Sequence, residues 1–304
     1  MLRENKNLIV IAGPTAVGKT SLSLELARAY DAEIISADSR QIYKEMNIGT
    51  AKVTIDERNQ IPHHFIDIKH IEEEYSAGQY ETEVIAFLSE YYKNKSVAIL
   101  VGGTGLYINA VLNGLDIFPN VPKIVLDGLE NDLQSDGLQV LQKELEAKDP
   151  RFYAQADIQN HRRVIRALSI IRHTNKTFSS FQNKANPERS FKAIPIVLTL
   201  PREELYERIN KRVDLMMHEG LLAEVKSLVN YTGVRALNTV GYKELLAYLE
   251  NKMNLDTAVS KIKQHSRNYA KRQITWFNNR LNAQQFSPKA ADQIVEYIEG
   301  EINS

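Results

Sequence analysis

The sequence predicts an α/β protein, a parallel sheet flanked by helices with an all-helical insertion. Three observations lead there. Short apolar runs alternate with helical periodicity in the first hundred residues, a glycine-rich turn links the first run to the first helix, and strand signals vanish from about residue 116 to 190 before one returns.

The elements follow in order. Leu8–Ala12 (LIVIA) is continuously apolar and ends at Gly-Pro, as a strand buried on both faces does. Thr20 to Tyr30 has helical spacing, Glu33–Ala37 (EIISA) is a second short strand, and Ser76 to Tyr92 is an amphipathic helix with Ser76 as N-cap. Val97–Val101 (VAILV) is a third strand, followed by Gly102-Gly103. After Gly114 the segment DIFPNVPK reads as a connection, and helical patterns occupy Ile124–Gln134, Gly137–Ala147 and Asn160–His173, with none but helical signals to about Asn186. Ala193–Leu200 (AIPIVLTL) returns to the sheet. Pro201 opens a helix to about Asn230, and helices follow at Gly241–Glu250 and Thr257–Asn279. The expected division is a core of 1–115 with 191–304 and an insertion of 116–190.

The 304 residues are 43% hydrophobic and 25% charged, ordinary for a globular chain with ample core. Without cysteine, disulfide frameworks, thiolate zinc sites and cysteine nucleophiles are excluded. The N-terminus runs directly into the first strand, and the charge-free stretch Val97 to Leu112 is too short and glycine-interrupted to span a bilayer. The expectation is a cytoplasmic protein with no membrane partner, acting as a monomer.

The 38 basic and 38 acidic residues cancel, yet they are unevenly placed. His161 to Lys176 holds five Arg/Lys and no acid; Lys261 to Arg280 holds six and no acid. Two basic stripes on an otherwise acidic chain suit a polyanion, although solvated helix faces would look the same.

Gly13-Pro14-Thr15-Ala16-Val17-Gly18-Lys19-Thr20 matches G-x-x-x-x-G-K-[ST] between a strand and a helix. Gly13 and Gly18 let the backbone curl so that N–H groups converge on a di- or triphosphate at the helix N-terminus. Lys19 supplies a point charge, and the Thr20 hydroxyl can ligate Mg²⁺. Such a loop names a phosphate ligand, not a reaction.

Asp38 follows the second strand and therefore sits at the same sheet edge. A carboxylate there can hold Mg²⁺ through water or take a proton from a nucleophile, or it can simply cap its own turn. Gly102-Gly103-Thr104 ends the third strand, where glycines admit a substrate and Thr104 offers a hydroxyl; a plain strand-to-helix turn is the alternative. His63-His64 with Asp67 contains metal-ligand types, but adjacent loop histidines more often pack or cap. Trp276 and Phe277 are read as core more than as base-stacking groups.

Five segments, GPTAVGKT (13–20), ADSRQIYKEMNIGTAK (37–52), LVGGTGLYINA (100–110), VGYKELL (240–246) and AKRQITWF (270–277), together resemble the tRNA dimethylallyltransferase family across nearly the whole chain. The resemblance implies a P-loop kinase-like core with a helical insertion, and transfer of dimethylallyl from dimethylallyl diphosphate to N6 of adenosine 37 in a tRNA anticodon stem-loop, releasing diphosphate. It implies that Gly13–Thr20 holds the diphosphate, and that Asp38 is the general base with Thr104 beside the reacting centre; Arg235, before the VGYKE segment, is read as a further diphosphate contact. It further implies that Asp38, Ser39, Arg40, Gln41, Arg162, Arg163, Arg166, Lys271 and Arg272 meet the tRNA, and that Mg²⁺ is the cofactor. The family often has Met where Arg40 stands, and an Arg early in the first insertion helix where this chain has Leu126, with Lys123 nearby. An ATP-dependent small-molecule kinase on the same nucleotide-binding loop is the competing reading. It predicts an arginine-rich lid and needs no basic insertion.

Overall fold

The computed structural model describes residues 6–182 and 187–304; the readings that begin at Met1 or run to Asn186 extend there into residues 1–5 and 183–186, outside the described set. Strands β1 (Asn7–Ala12), β2 (Ile34–Ser36), β3 (His63–His64), β4 (Val97–Gly102), β5 (Lys192–Leu198) and β6 (Gln284–Phe286) form one six-stranded sheet in the order β3-β2-β4-β1-β5-β6. Every pairing is parallel. The expected α/β class, a parallel sheet between helices, is what the chain adopts.

Alternation along β1 assigns its two faces. Ile9 and Ile11 join Leu22, Leu26, Leu205, Ile209, Ile294 and Ile298 in one core layer. Leu8 and Val10 join Tyr80, Val84, Leu88, Ile108 and Phe277 in the other. Parallel strands need helices on both faces, which is why β1 reads as an unbroken apolar run. Two buried phenols tie helix Ala77–Tyr91 and its C-cap to the sheet: Tyr80 donates to Ser36 O at 2.9 Å and Tyr92 to Asn7 O at 2.8 Å. Ser76 caps that helix, accepting from Gln79 N at 3.1 Å.

The register matters most for function. Ala12 pairs with Gly102 and with Val197, and Ser36 pairs with Val101. The carboxyl ends of β1, β2, β4 and β5 therefore finish together, bringing Gly13, Ala37 and Gly103 to one edge.

Three expectations change. β3 and β6, two and three residues long at the sheet edges, were not foreseen. The helix expected over 202–230 is instead Arg202–His218 and Leu221–Ser227, broken where Gly220 takes φ 102°. A final helix, Ala291–Asn303, adds Ile294 and Ile298 to the core.

By contact density the chain divides into residues 1–112 with 189–304, and residues 113–188. The second unit holds helices Lys123–Ser135, Leu138–Lys148, Pro150–Gln155 and His161–Thr174, around a core that includes Leu129, Leu141, Leu145, Val164 and Leu168. Asp149, 1% exposed, ties it together by accepting from Phe152 N (3.1 Å), Ser179 N (2.7 Å) and Ser179 Oγ (2.8 Å). Among the described residues, no helix is long and apolar enough to cross a membrane.

Candidate active site

The loop after β1 curls because Gly13 (φ 150°) and Gly18 (φ 112°) adopt backbone conformations that L side chains rarely take. A Cβ at Gly13 would lie 2.8 Å from Leu198 O, so the close approach to β5 also requires glycine. Gly18 is the N-cap of helix Lys19–Ala29, and Thr20 stands exposed in its first turn. Lys19 is half-buried and its Nζ donates to Gly13 O (2.9 Å) and Pro14 O (2.8 Å), closing the loop on itself. Burial, and then the neighbouring Arg212, lower its pKa to about 7, against the pull of Asp38.

Asp38 lines the same cleft, of about 770 Å³, as residues 15–20. Its Oδ1 accepts from Arg40 N at 2.8 Å and, more weakly, from Gln41 N at 3.4 Å, while Oδ2 has no hydrogen-bond partner among the described residues. Asp38 thus caps its own turn through one oxygen while the residue lines the cleft. Ser39, Arg40 and Gln41 line the cleft as well. Tyr269, 38% exposed, does too, and its phenol is pushed up to about 12 by burial and then by Asp38.

Thr104 is not among the cleft-lining residues. Its Oγ1 accepts from Ser39 N at 3.0 Å and donates to Ser39 Oγ at 3.3 Å, bracing the Asp38 turn. Gly102 and Gly103 permit this packing, since a Cβ would meet Ala37 O at 2.1 Å in the first case and Gln273 Nε2 at 2.3 Å in the second.

Gln273 joins the two loops. Its Oε1 accepts from Thr15 N and its Nε2 donates to Gly103 O, both at 2.9 Å. It comes from helix Leu255–Arg280, whose Arg272 also reaches the cleft and lies 5.7 Å from the Tyr269 ring. Lys271 is exposed on the same helix, outside the cleft lining. Phe277 is fully buried, and a Cβ at Gly105 would meet the Trp276 ring at 2.4 Å, so both aromatic residues serve packing.

Helix Arg202–His218 supplies what the sequence reading overlooked. Arg208 and Arg212, one turn apart on one face, line the cleft with Lys211, and Arg208 Nη1 donates to Val17 O at 3.5 Å. A signal existed: this helix follows β5 and so begins at the ligand edge of the sheet. Arg235, by contrast, is exposed in a 3₁₀ turn and does not line the cleft, whereas Asn238 to Gly241 do.

In the second unit Arg162, Arg163 and Arg166 are exposed along helix His161–Thr174, with Arg166 5.5 Å over the Phe118 ring. Arg172 of the same stripe is consumed internally by Asp132 (2.7 Å) and Glu144 (2.5 Å). Of the Lys261–Arg280 stripe, Lys263 pairs with Asp214 at 2.6 Å.

His63 hydrogen-bonds Ile61 O (2.7 Å), His64 meets Glu33 (2.6 Å), and Asp67 binds Lys52 and Arg58 (2.5 Å each), so these side chains have separate partners. Thr20 and Asp38 are two of the oxygen-bearing side chains that line the cleft. Two such groups suit a hard cation that takes its remaining ligands from phosphate and water, as Mg²⁺ does.

A glycine-rich loop, a carboxylate and an arginine helix lining one cleft are compatible with several group-transfer chemistries. The family decides among them. The IPP transferase family matches residues 41–280. The chain belongs to this family. It is 48% identical to a tRNA dimethylallyltransferase from Christiangramia forsetii over 98% of its own length and 99% of the relative's, and 44% identical to a tRNA dimethylallyltransferase 1 from Bacteroides thetaiotaomicron over 96% and 94%. Among solved structures it is similar to the full-length tRNA isopentenylpyrophosphate transferase of Bacillus halodurans (TM-score 0.73, 38% identity, covering 98% and 97%). It is also similar to a eukaryotic dimethylallyltransferase studied acting on tRNA (TM-score 0.77, 32% identity, covering 90% and 70%). Membership makes the chain a transferase of the tRNA-modifying, isopentenyl-transferring kind, and the kinase reading loses its support even though the arginine helix would have suited it.

Proposed function

We propose that this family member transfers the dimethylallyl group of dimethylallyl diphosphate to N6 of adenosine 37 in the tRNA anticodon loop, releasing diphosphate. The observation that carries this reading is the shared cleft, with the phosphate loop and Arg208/Arg212 at one side and the Asp38 carboxylate beside them.

The exocyclic amine of adenine is a weak nucleophile because its lone pair is delocalised into the ring. It forms the new bond to the allylic carbon as that carbon's bond to the diphosphate oxygen breaks. The bonding electrons leave with diphosphate, and the N6 proton passes to Asp38 Oδ2. Backbone N–H groups of the loop, Lys19, Arg208 and Arg212 stabilise the charge gathering on the leaving group. Thr20 would hold Mg²⁺, which when bound would supply further charge neutralisation on the diphosphate. Tyr269 and Arg272 offer flat surfaces to a base drawn out of the loop stack, at a cost of a few kcal/mol. Arg162, Arg163, Arg166 and Lys271 would hold tRNA phosphates. The reaction belongs in the cytoplasm, with one chain as the working unit.

The test is incubation with labelled dimethylallyl diphosphate and unmodified tRNA. Label on tRNA is expected for the wild type and almost none for Asp38→Ala. Unlabelled tRNA together with ATP turnover would return the kinase reading.

A further inference from the structure

Glu224 makes an unusually complete set of contacts for a residue outside the cleft. It lies on helix Leu221–Ser227, and its Oε2 accepts from Asn47 N at 2.9 Å and Ile48 N at 2.7 Å. Its Oε1 accepts from Gly49 N at 3.0 Å and from the Tyr242 hydroxyl at 2.6 Å. Three successive backbone N–H groups converging on one carboxylate form an anion nest that the chain fills with its own side chain. The Tyr242 ring closes the other side: a Cβ at Gly49 would lie 2.5 Å from its Cε2, so only glycine fits.

The far end of that loop enters the cleft. Thr50 O and Ala51 O accept from Gln41 Nε2 at 3.2 and 3.3 Å, and Gln41 N touches Asp38 Oδ1 at 3.4 Å. None of these bonds reaches residues 13–20, where Lys19 is held by loop carbonyls and Thr15 by Gln273. The network therefore bears on the wall that carries Gln41 and Asp38 and leaves the phosphate loop alone.

We propose that Glu224 is a positioning residue for the acceptor nucleobase: through the 47–51 loop it sets Gln41, and with it the Asp38 turn, independently of the diphosphate side. This rests on the prenyl-transfer reading for its substrate assignment, whereas the clamp itself is a statement about the protein.

Glu224→Gln replaces an acceptor oxygen with an amide that faces other donors at unchanged size. It is expected to speed amide exchange at Asn47, Ile48 and Gly49. It should lower kcat/KM for tRNA by about ten- to a hundredfold, the effect of a small misplacement of reacting groups, while inorganic diphosphate affinity stays within about twofold. Combined with Gln41→Ala, its effect should be clearly less than additive, because both act on one link. Gly49→Ala, which pushes the same loop with Glu224 intact, should reproduce the split, and Tyr242→Phe provides a milder variant should Glu224→Gln fold poorly. Unchanged exchange over 47–49, an equal loss of diphosphate and tRNA terms, or full additivity with Gln41→Ala would each overturn the proposal. A wild type that transfers no dimethylallyl to any tRNA would sink the prenyl-transfer reading instead. In that case loosened exchange with intact diphosphate binding supports the clamp, and its absence refutes it.

Discussion

Gln273 is the side chain on which the phosphate loop and the β4 loop both depend. Removing it as Gln273→Ala frees Thr15 N and Gly103 O and opens space behind Gly103. Inorganic diphosphate binding should weaken by about tenfold, the scale of one or two buried hydrogen bonds, and titration calorimetry would measure it. Lys19 carries a second prediction. With its pKa lowered from 10.5 to about 7 in the free protein, the unfolded chain holds the extra proton between those values, so the free protein gains stability as pH rises across that window. A bound diphosphate favours the ammonium, so binding above pH 7 should draw a proton from solution. Calorimetry in buffers of different ionisation heat should show this uptake, and Lys19→Met should lose it; equal uptake by both proteins would refute the assignment. At this scale the sequence was legible where a motif fixes backbone shape, as at Gly13, Gly18 and Lys19. It was not where a side chain acts from a distant segment. Gln273 and Glu224 meet their partners only through the fold, and the bond from Ser39 N to the Thr104 hydroxyl is likewise invisible in the sequence.

Among the elements, the buried Asp149 is the most exposed to test. It receives three hydrogen bonds that join helix Pro150–Gln155 to the 3₁₀ turn Phe178–Phe181. Asp149→Ala leaves buried donors unpaired and should cost about 2–3 kcal/mol, read as faster amide exchange at Phe152 and Ser179 with little change around β1. Long elements with strong periodicity, such as Ala77–Tyr91 and Leu255–Arg280, were readable from sequence. The edge strands β3 and β6 were not, because two or three residues cannot display a period, and β3 consists of histidines that suggested a different role. The helix from Arg202 looked continuous because Gly220 interrupts a pattern that stays helical on both sides.

For the molecule as a whole, Arg189 donates to Ala110 O at 2.7 Å and pairs with Glu81 at the same distance, so the chain leaves and re-enters the larger unit at neighbouring points. Replacing residues 113–188 with a short Gly/Ser linker should leave that unit folded, with inorganic diphosphate affinity nearly unchanged. Filter binding should show tRNA affinity reduced at least tenfold and its salt dependence flattened, if Arg162, Arg163 and Arg166 meet phosphates as proposed. The parallel class was legible because a parallel sheet must be covered on both faces, and that demand shows in LIVIA and VAILV.

The central strand has a consequence for biosynthesis. Asn7 pairs with Lys192, and Thr15 N donates to Gln273 Oε1. A nascent polypeptide emerging from the ribosome therefore carries the glycine-rich turn 258 residues ahead of the side chain that fastens it. Truncated products released before Gln273 is added would hold that turn without its fastening, and should bind inorganic diphosphate more weakly than the full chain.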